Sequence, residues 1–184
     1  MRGPLLSGAL GSPATLDRVV ELVRPHQPIV VLSALWLAET LATELPVLAL
    51  VEKDKQGAAN RAGRRARKLS MPLSVVVAAG EVPLAPKRFG AVVLENMMDI
   101  EEVQAAADLL LGLLPSMLPD AVILSLDATK NPYLEARVAE IFLAASLTNI
   151  RQVRPKDGAL LTLAVVPQPE VIAARSIALS ATSP

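Results

Sequence analysis

The segment Thr148–Val166 reads TNIRQVRPKDGALLTLAVV, and it bears on the fold class more directly than any other part of the chain. Its two strand-like stretches, Thr148–Arg154 and Ala159–Val166, are separated only by Pro155–Gly158. A short link that contains Asp-Gly between two such stretches favours a β-hairpin, because these residues tolerate the backbone angles of tight turns. The segment is therefore predicted to form a pair of antiparallel strands.

Upstream of this hairpin, short apolar stretches alternate with longer helical patterns. The predicted strands are Ile29–Leu32, Pro46–Val51, Leu73–Ala78, Phe89–Leu94 and Ala121–Leu126. The predicted helices are Thr15–Val23, Ala34–Glu44, Lys55–Leu69, Glu101–Leu114 and Asn131–Leu147. Apolar strands that alternate with helices are typical of a parallel sheet covered on both faces. We predict an α/β, Rossmann-like three-layer sandwich with a mostly parallel seven-stranded sheet that ends in the antiparallel hairpin.

The composition indicates one globular domain. Hydrophobic residues make up 52% of the 184 residues, which is enough for a substantial core. This domain is predicted to span residues 13–167, with a flexible arm over 1–12 and a tail or short helix over 168–184. No apolar stretch reaches the roughly 20 residues of a membrane span, so we expect a soluble, cytoplasmic protein.

Residue counts exclude several kinds of site. The absence of cysteine excludes disulfides, thiolate metal sites and cysteine nucleophiles. The single histidine, His26, lies in a predicted loop and excludes a multi-histidine metal site. No catalytic or metal-binding residue is therefore predicted. The 18 basic residues balance the 18 acidic ones, so no overall field attracts nucleic acid.

The order of elements over Pro25–Pro167 resembles the fold of class I S-adenosylmethionine (SAM)-dependent methyltransferases. In that family the first strand ends in an acid within the turn Asp-Xaa-Gly-Xaa-Gly-Xaa-Gly, whose glycines let the backbone approach the cofactor. Here the stretch reads SALWLAE, with Ser33 in place of the acid. Larger residues replace the glycines at Leu35, Leu37 and Glu39. We expect these three side chains to fill the space that the cofactor needs.

Two further landmarks of the resemblance follow the second and third strands. Glu52 stands where an acid of the family accepts hydrogen bonds from the ribose hydroxyls. Gly80 and Glu81 resemble the Gly-Asp pair that lies beside the adenine. If a cofactor binds, the resemblance therefore implies Ser33, Glu52, Gly80 and Glu81 as its contacts.

Other residues depart from the family pattern. Gly90 replaces an expected Asp, and the fourth strand leads into Glu95-Asn96-Met97-Met98. The family's Asn-Pro-Pro-Tyr type of motif, which positions a planar amine, differs from this tetrapeptide. These departures favour a degenerate, non-catalytic methyltransferase-like domain that acts as a binding or oligomerisation scaffold without a cofactor. The alternative is an active SAM-dependent methyltransferase with a divergent glycine turn.

Two segments are candidates for contacts with other molecules. Apolar residues wrap most of the circumference of the predicted helix 101–114, so this helix either is buried on both sides or binds a partner. Segment 61–68 carries five basic residues, which indicate a solvated helix face, with RNA or an acidic partner as the alternative. We predict a homo-oligomer or a protein partner that binds through the 101–114 helix, and neither nucleic-acid nor membrane binding.

Overall fold

The computed structural model describes residues 10–78, 85–100, 102–156 and 158–167, and it confirms the predicted fold class. Its seven-stranded sheet has the order β3-β2-β1-β4-β5-β7-β6. The strands are β1 (Ile29–Leu32), β2 (Val47–Glu52), β3 (Leu73–Ala78), β4 (Phe89–Glu95), β5 (Met117–Asp127), β6 (Thr148–Val153) and β7 (Leu160–Val165). The α-helices are α1 (Pro13–Val23), α2 (Leu35–Leu41), α3 (Gln56–Leu69), α4 (Val103–Leu113) and α5 (Pro132–Ala144).

The predicted hairpin forms the end of the sheet. Strands β1 to β5 run parallel to one another, and β7 lies antiparallel between β5 and β6. Asp157 of the predicted turn lies outside the described residues. A Cβ added to Gly158 would lie 2.5 Å from Oγ1 of Thr15, so the link packs tightly against α1. The same hydroxyl accepts a hydrogen bond from the Ala159 amide at 3.1 Å, which ties α1 to the start of β7.

Helices cover both faces of the sheet, which confirms the three-layer prediction. On one face, α1 and α2 form a hydrophobic core with Ile29 and Val31 of β1. On the other face, α4 and α5 form a second core with Val30. Successive side chains of a strand point to opposite faces, so a central strand must be apolar throughout. Helix α3 packs beside α2 and against β3, and it buries Ala59, Ala62 and Ala66.

Several elements differ in length from the predictions, and the differences at β5 and α2 have identifiable physical causes. Strand β5 begins at Met117, and its pairing with β4 shifts register between Phe89 and Ala91. This irregularity accommodates Pro119, which a regular ladder would exclude because proline has no amide hydrogen. Helix α2 ends at Leu41 rather than at Glu44, because the amides of residues 43 and 44 bond three residues back and tighten the last turn.

The predicted domain boundaries lie close to the two ends of the described residues. In the arm predicted over 1–12, Leu10 is buried in the core, and Oγ of Ser12 caps α1 by accepting from the Thr15 amide at 3.2 Å. The predicted tail 168–184 is not described, so both boundaries stay predictions. Within the described ranges, every helix is too short or too polar to cross a membrane.

Candidate functional site

A cavity of about 790 Å³ opens at the carboxyl edge of the sheet. Residues at the ends of β1, β2, β3 and β4 line it, and α4 forms one wall through Leu109, Gly112 and Leu113. The strand order reverses between β1 and β4, and open α/β sheets bind ligands at such a switch point. The volume also falls within the roughly 300–1,000 Å³ typical of small-molecule sites.

The lining combines an apolar floor with acidic groups. Leucines of β1, β2 and β4 form much of the floor. The polar or charged lining side chains are Ser33, Glu52, Glu95, Asn96 and Asp108. Among the described lining residues there is no lysine, arginine or histidine. The cavity therefore suits a ligand with an apolar body and several hydrogen-bond donors.

The turn after β1 consists only of Ser33 and Ala34, because α2 begins at Leu35. Ser33 has a φ of 60°, a left-handed conformation that costs a residue with a Cβ roughly 1–2 kcal/mol. Its amide donates to the Leu50 carbonyl of β2 at 2.8 Å, and the Ala34 amide donates to the Leu32 carbonyl at 2.7 Å. These bonds hold Ser33 at the cavity while the chain turns directly into α2.

The three side chains expected to block this turn lie elsewhere. Leu37 is fully buried in the core between α2 and the sheet, and Leu35 packs against the same core. Glu39 pairs with Arg65 of α3, with 3.2 Å between Oε1 and Nη1. None of the three lines the cavity, so the expectation that they fill it is wrong. An α-helix turns by about 100° per residue, so Leu37 and Glu39 lie on opposite sides of α2.

A hydrogen bond between α2 and β4 lies at the edge of the cavity. Trp36 Nε1 donates to Glu95 Oε2 at 2.9 Å, and Asn96 Nδ2 donates to Glu95 Oε1 at 3.5 Å. Asn96 has a φ of 56°, which asparagine adopts more readily than most residues. Its backbone amide donates to the Leu126 carbonyl. The Glu95 carboxylate is thus oriented by donors on both oxygens.

Sequence reasoning missed this pair. Trp36 and Glu95 are 59 positions apart, so no local pattern connects them. The available signals were the single tryptophan of the chain beside a predicted strand end and an acid at the end of the fourth strand.

Two of the four residues implied by the resemblance lie at the cavity. Ser33 and Glu52 both line it, and the Glu52 side chain is exposed at the end of β2. Gly80 and Glu81 lie outside the described residues, shortly after Ala78, which also lines the cavity. A cofactor contact stays a prediction for all four.

Gly90, where the family pattern led us to expect Asp, lies near the opposite end of β4. A Cβ added there would lie 2.3 Å from the carbonyl oxygen of His26. The Gly90 amide also donates to the Pro28 carbonyl at 2.9 Å. Glycine is required because two backbone segments touch at this position, far along the strand from the cavity.

The apolar side chains of α4 lie in three different environments. Its core face buries Ala106, Ala107, Leu110 and Leu113. Leu109, 44% exposed, lines the cavity, whereas Leu111, 38% exposed, lines a second groove of about 310 Å³ together with Leu114 and Leu118. A partner that binds through this helix stays a prediction.

Solved structures of methyltransferases are similar to this chain. A SAM-dependent methyltransferase from Aquifex aeolicus has a TM-score of 0.62 at 14% identity, over 84% of this chain and 94% of that one. A putative O-methyltransferase from Nostoc punctiforme gives 0.64 at 13% identity, over 82% and 55%. A SAM-dependent O-methyltransferase from Thermotoga maritima gives 0.59 at 10% identity, over 87% and 67%.

No protein-family model and no curated protein sequence matches the chain. The chain spans nearly the whole Aquifex structure but little more than half of the Nostoc one. At such low identity the likeness concerns the fold and not the chemistry. From the strand order, the terminal hairpin and these similarities together, the chain has a class I SAM-dependent methyltransferase-like fold.

Proposed function

We propose that this methyltransferase-like domain is a non-catalytic binding domain whose cavity takes a small adenosine-containing ligand. The observation that carries the proposal is the open cavity at the ends of β1 to β4, which the substituted turn after β1 leaves accessible. The domain is then a binding scaffold, as the sequence predicted, but one that holds a ligand in this cavity.

The lining supports an adenosine-containing ligand. The Glu52 carboxylate ends β2 and can accept hydrogen bonds from ribose hydroxyls. Leu50, Ala78 and Leu109 offer apolar surface on the sheet and on α4, where a purine ring can pack. Stacking on aromatic rings plays no part, because none of the described lining residues is aromatic.

Two departures support the absence of methyl transfer. The turn after β1 has no glycine, and its two residues lead at once into α2, so backbone amides have little room to surround a charged cofactor tail. At the end of β4, Glu95 is held by Trp36 and Asn96, in place of a motif that positions a planar amine.

Ligand binding is tested by filling the cavity from α4. A Cβ at Gly112 meets no atom of the described residues within 4 Å, and the same is true of Gly63 in α3, which is not part of the cavity lining. We expect isothermal titration calorimetry to show micromolar binding of SAM or S-adenosylhomocysteine (SAH). Gly112→Phe should abolish that binding, and the matched variant Gly63→Phe should retain it. Absence of heat and of a thermal shift with the unaltered chain would disprove the binding function.

Catalysis is tested separately by following SAH formation from SAM in the presence of fractionated cell extract. The proposal expects no SAH above the level obtained with Gly112→Phe. Production of SAH that requires the unaltered cavity would establish the alternative, an active methyltransferase with a divergent turn.

A role in oligomerisation is the second candidate, and the exposed Leu111 in the apolar groove beside α4 favours it. Burial of such a groove by another chain would remove apolar surface from water. Light scattering after size exclusion should then give a mass above one chain, and Leu111→Glu should lower it. A monomer at all concentrations, without a co-purifying protein, would exclude this role.

A further inference from the structure

We propose that Glu95 selects the charge of the ligand: the cavity favours an adenosine-containing ligand with a positive centre over its neutral counterpart, and Trp36 positions the selecting carboxylate. This inference rests on the ligand-binding function proposed above. Glu95 is a specificity-determining residue in this scheme, and Trp36 is a positioning residue.

The geometry leaves Glu95 able to accept further hydrogen bonds. Among the described residues, one donor reaches each oxygen: Trp36 Nε1 at 2.9 Å and Asn96 Nδ2 at 3.5 Å. An ionised carboxylate has about four acceptor positions, so roughly half remain for a ligand. Because Glu95 itself lines the cavity, those positions are within reach of a bound molecule.

The charges around the cavity point to a cation. Glu52, Glu95 and Asp108 line it, and no described lining residue is basic. The nearby Lys55 lies outside the lining and donates to the Ser33 carbonyl at 3.4 Å. Apolar walls make electrostatic interactions stronger than they are in water. A positive centre of a bound ligand is therefore stabilised by these carboxylates, and a negative one is destabilised.

Glu95 is the carboxylate best placed to select charge. The side chains of Glu52 and Asp108 are exposed, and water and salt weaken their interactions. Glu95 is half-buried and is oriented by Trp36, so less of its field is lost to solvent. The hydrogen bond also links ligand binding to the environment of the only tryptophan in the chain.

Three ligands isolate the effect of charge. SAM carries a sulfonium, SAH is its neutral thioether, and sinefungin replaces the sulfonium with an amine that is protonated near neutral pH. All three share the adenosine and the amino-acid group, so differences in affinity report on the central charge. We expect SAM and sinefungin to bind about tenfold more tightly than SAH, the size expected of one partly solvated charge interaction.

Variants assign the preference to Glu95. Glu95→Gln should bring the ratio of the SAH and SAM dissociation constants close to one while the affinity for SAH changes little. Trp36→Phe keeps the charge but removes the donor, so it should reduce the ratio only in part. Glu39→Gln removes the same charge outside the cavity lining and serves as the matched control, with an unchanged ratio.

The outcomes separate the two proposals. If all three ligands bind equally well and Glu95→Gln alters none of the ratios, charge selection is wrong and the binding function stands. If none binds, the binding function fails and charge selection fails with it. Fluorescence tests the hydrogen bond without any ligand: the emission maximum of Trp36 should shift in Glu95→Gln and not in Glu39→Gln. Identical emission in all three proteins would refute the positioning role of Trp36.

Discussion

The segments that follow β1 and β4 start side by side at the same edge of the sheet, yet they contribute differently to the cavity. After β1, two residues lead into α2, and Leu37 and Glu39 turn to the core and to α3. After β4, a connection that contains a short 3-10 helix over Met97–Asp99 precedes α4, and its Asn96 and Ile100 line the cavity beside Glu95, the last residue of β4.

The length of a connection therefore determines whether the side chains that follow a strand pack against the sheet or remain accessible to a ligand. When a helix begins directly after a strand, most of its inward side chains pack against the sheet, because its inner face must cover the sheet. When the connection is longer, side chains at the strand end remain accessible to a ligand. The bulky residues after β1 therefore do not by themselves close the site.

The largest expected effect comes from breaking the packing role of α2. Leu37→Ala should lower the free energy of unfolding by about 3 kcal/mol, because it leaves a void in a fully buried core. Ligand affinity of the folded protein should not rise, since Leu37 does not line the cavity. Chemical denaturation measures the first effect and calorimetry the second. The control Leu37→Met should cost much less, and a gain in affinity for Leu37→Ala would restore the idea of a plugged turn.

The amino end of β4 extends the comparison, because Gly90 there lies directly against the backbone of residues 26 and 27 and is not part of the cavity lining. Gly90→Ala should destabilise the protein by about 2 kcal/mol, since the added methyl group collides with the His26 carbonyl. The matched change Gly63→Ala meets no atom within 4 Å in α3 and should stabilise the helix slightly. Thermal unfolding compares the two, and equal midpoints would contradict the close approach at Gly90.

A smaller effect, a gain in stability, should follow when the strained residue in the turn after β1 is replaced. Ser33→Gly removes the cost of a left-handed φ and should stabilise the protein by about 0.5 kcal/mol, after the greater entropy of unfolded glycine is subtracted. Ser33→Ala keeps the Cβ and should give no such gain in urea denaturation. A loss of stability in Ser33→Gly would show that the serine side chain, and not the backbone, shapes this turn.

The smallest effect is expected at the ion pair between α2 and α3. Glu39→Gln should change stability by less than about 0.5 kcal/mol, because the Arg65 side chain is 63% exposed and solvent screens the pair. High salt should reduce even this difference. A loss of several kcal/mol in urea denaturation would mean that Glu39 has a buried role that the present contacts do not include.

Much of the fold could be predicted because its signals are local. The parallel strands contain mostly apolar residues, and the hairpin link is marked by proline, lysine, aspartate and glycine within four positions. The candidate site could be predicted only in part. The resemblance implied Glu52 and Ser33 because they directly follow predicted strands, whereas the bond between Trp36 and Glu95 joins elements that are distant along the chain.

The sequence by itself determined the layers, the parallel sheet and the antiparallel end, since the periods of hydrophobicity and the turn residues are properties of neighbouring positions. It also showed that the family's glycines are absent at Leu35, Leu37 and Glu39. Only the tertiary structure decided what those replacements do, because the rotation of α2 against the sheet sets the direction of each side chain. That rotation sends Leu37 into the core, leaves about 790 Å³ open at the strand ends, and brings Trp36 to Glu95.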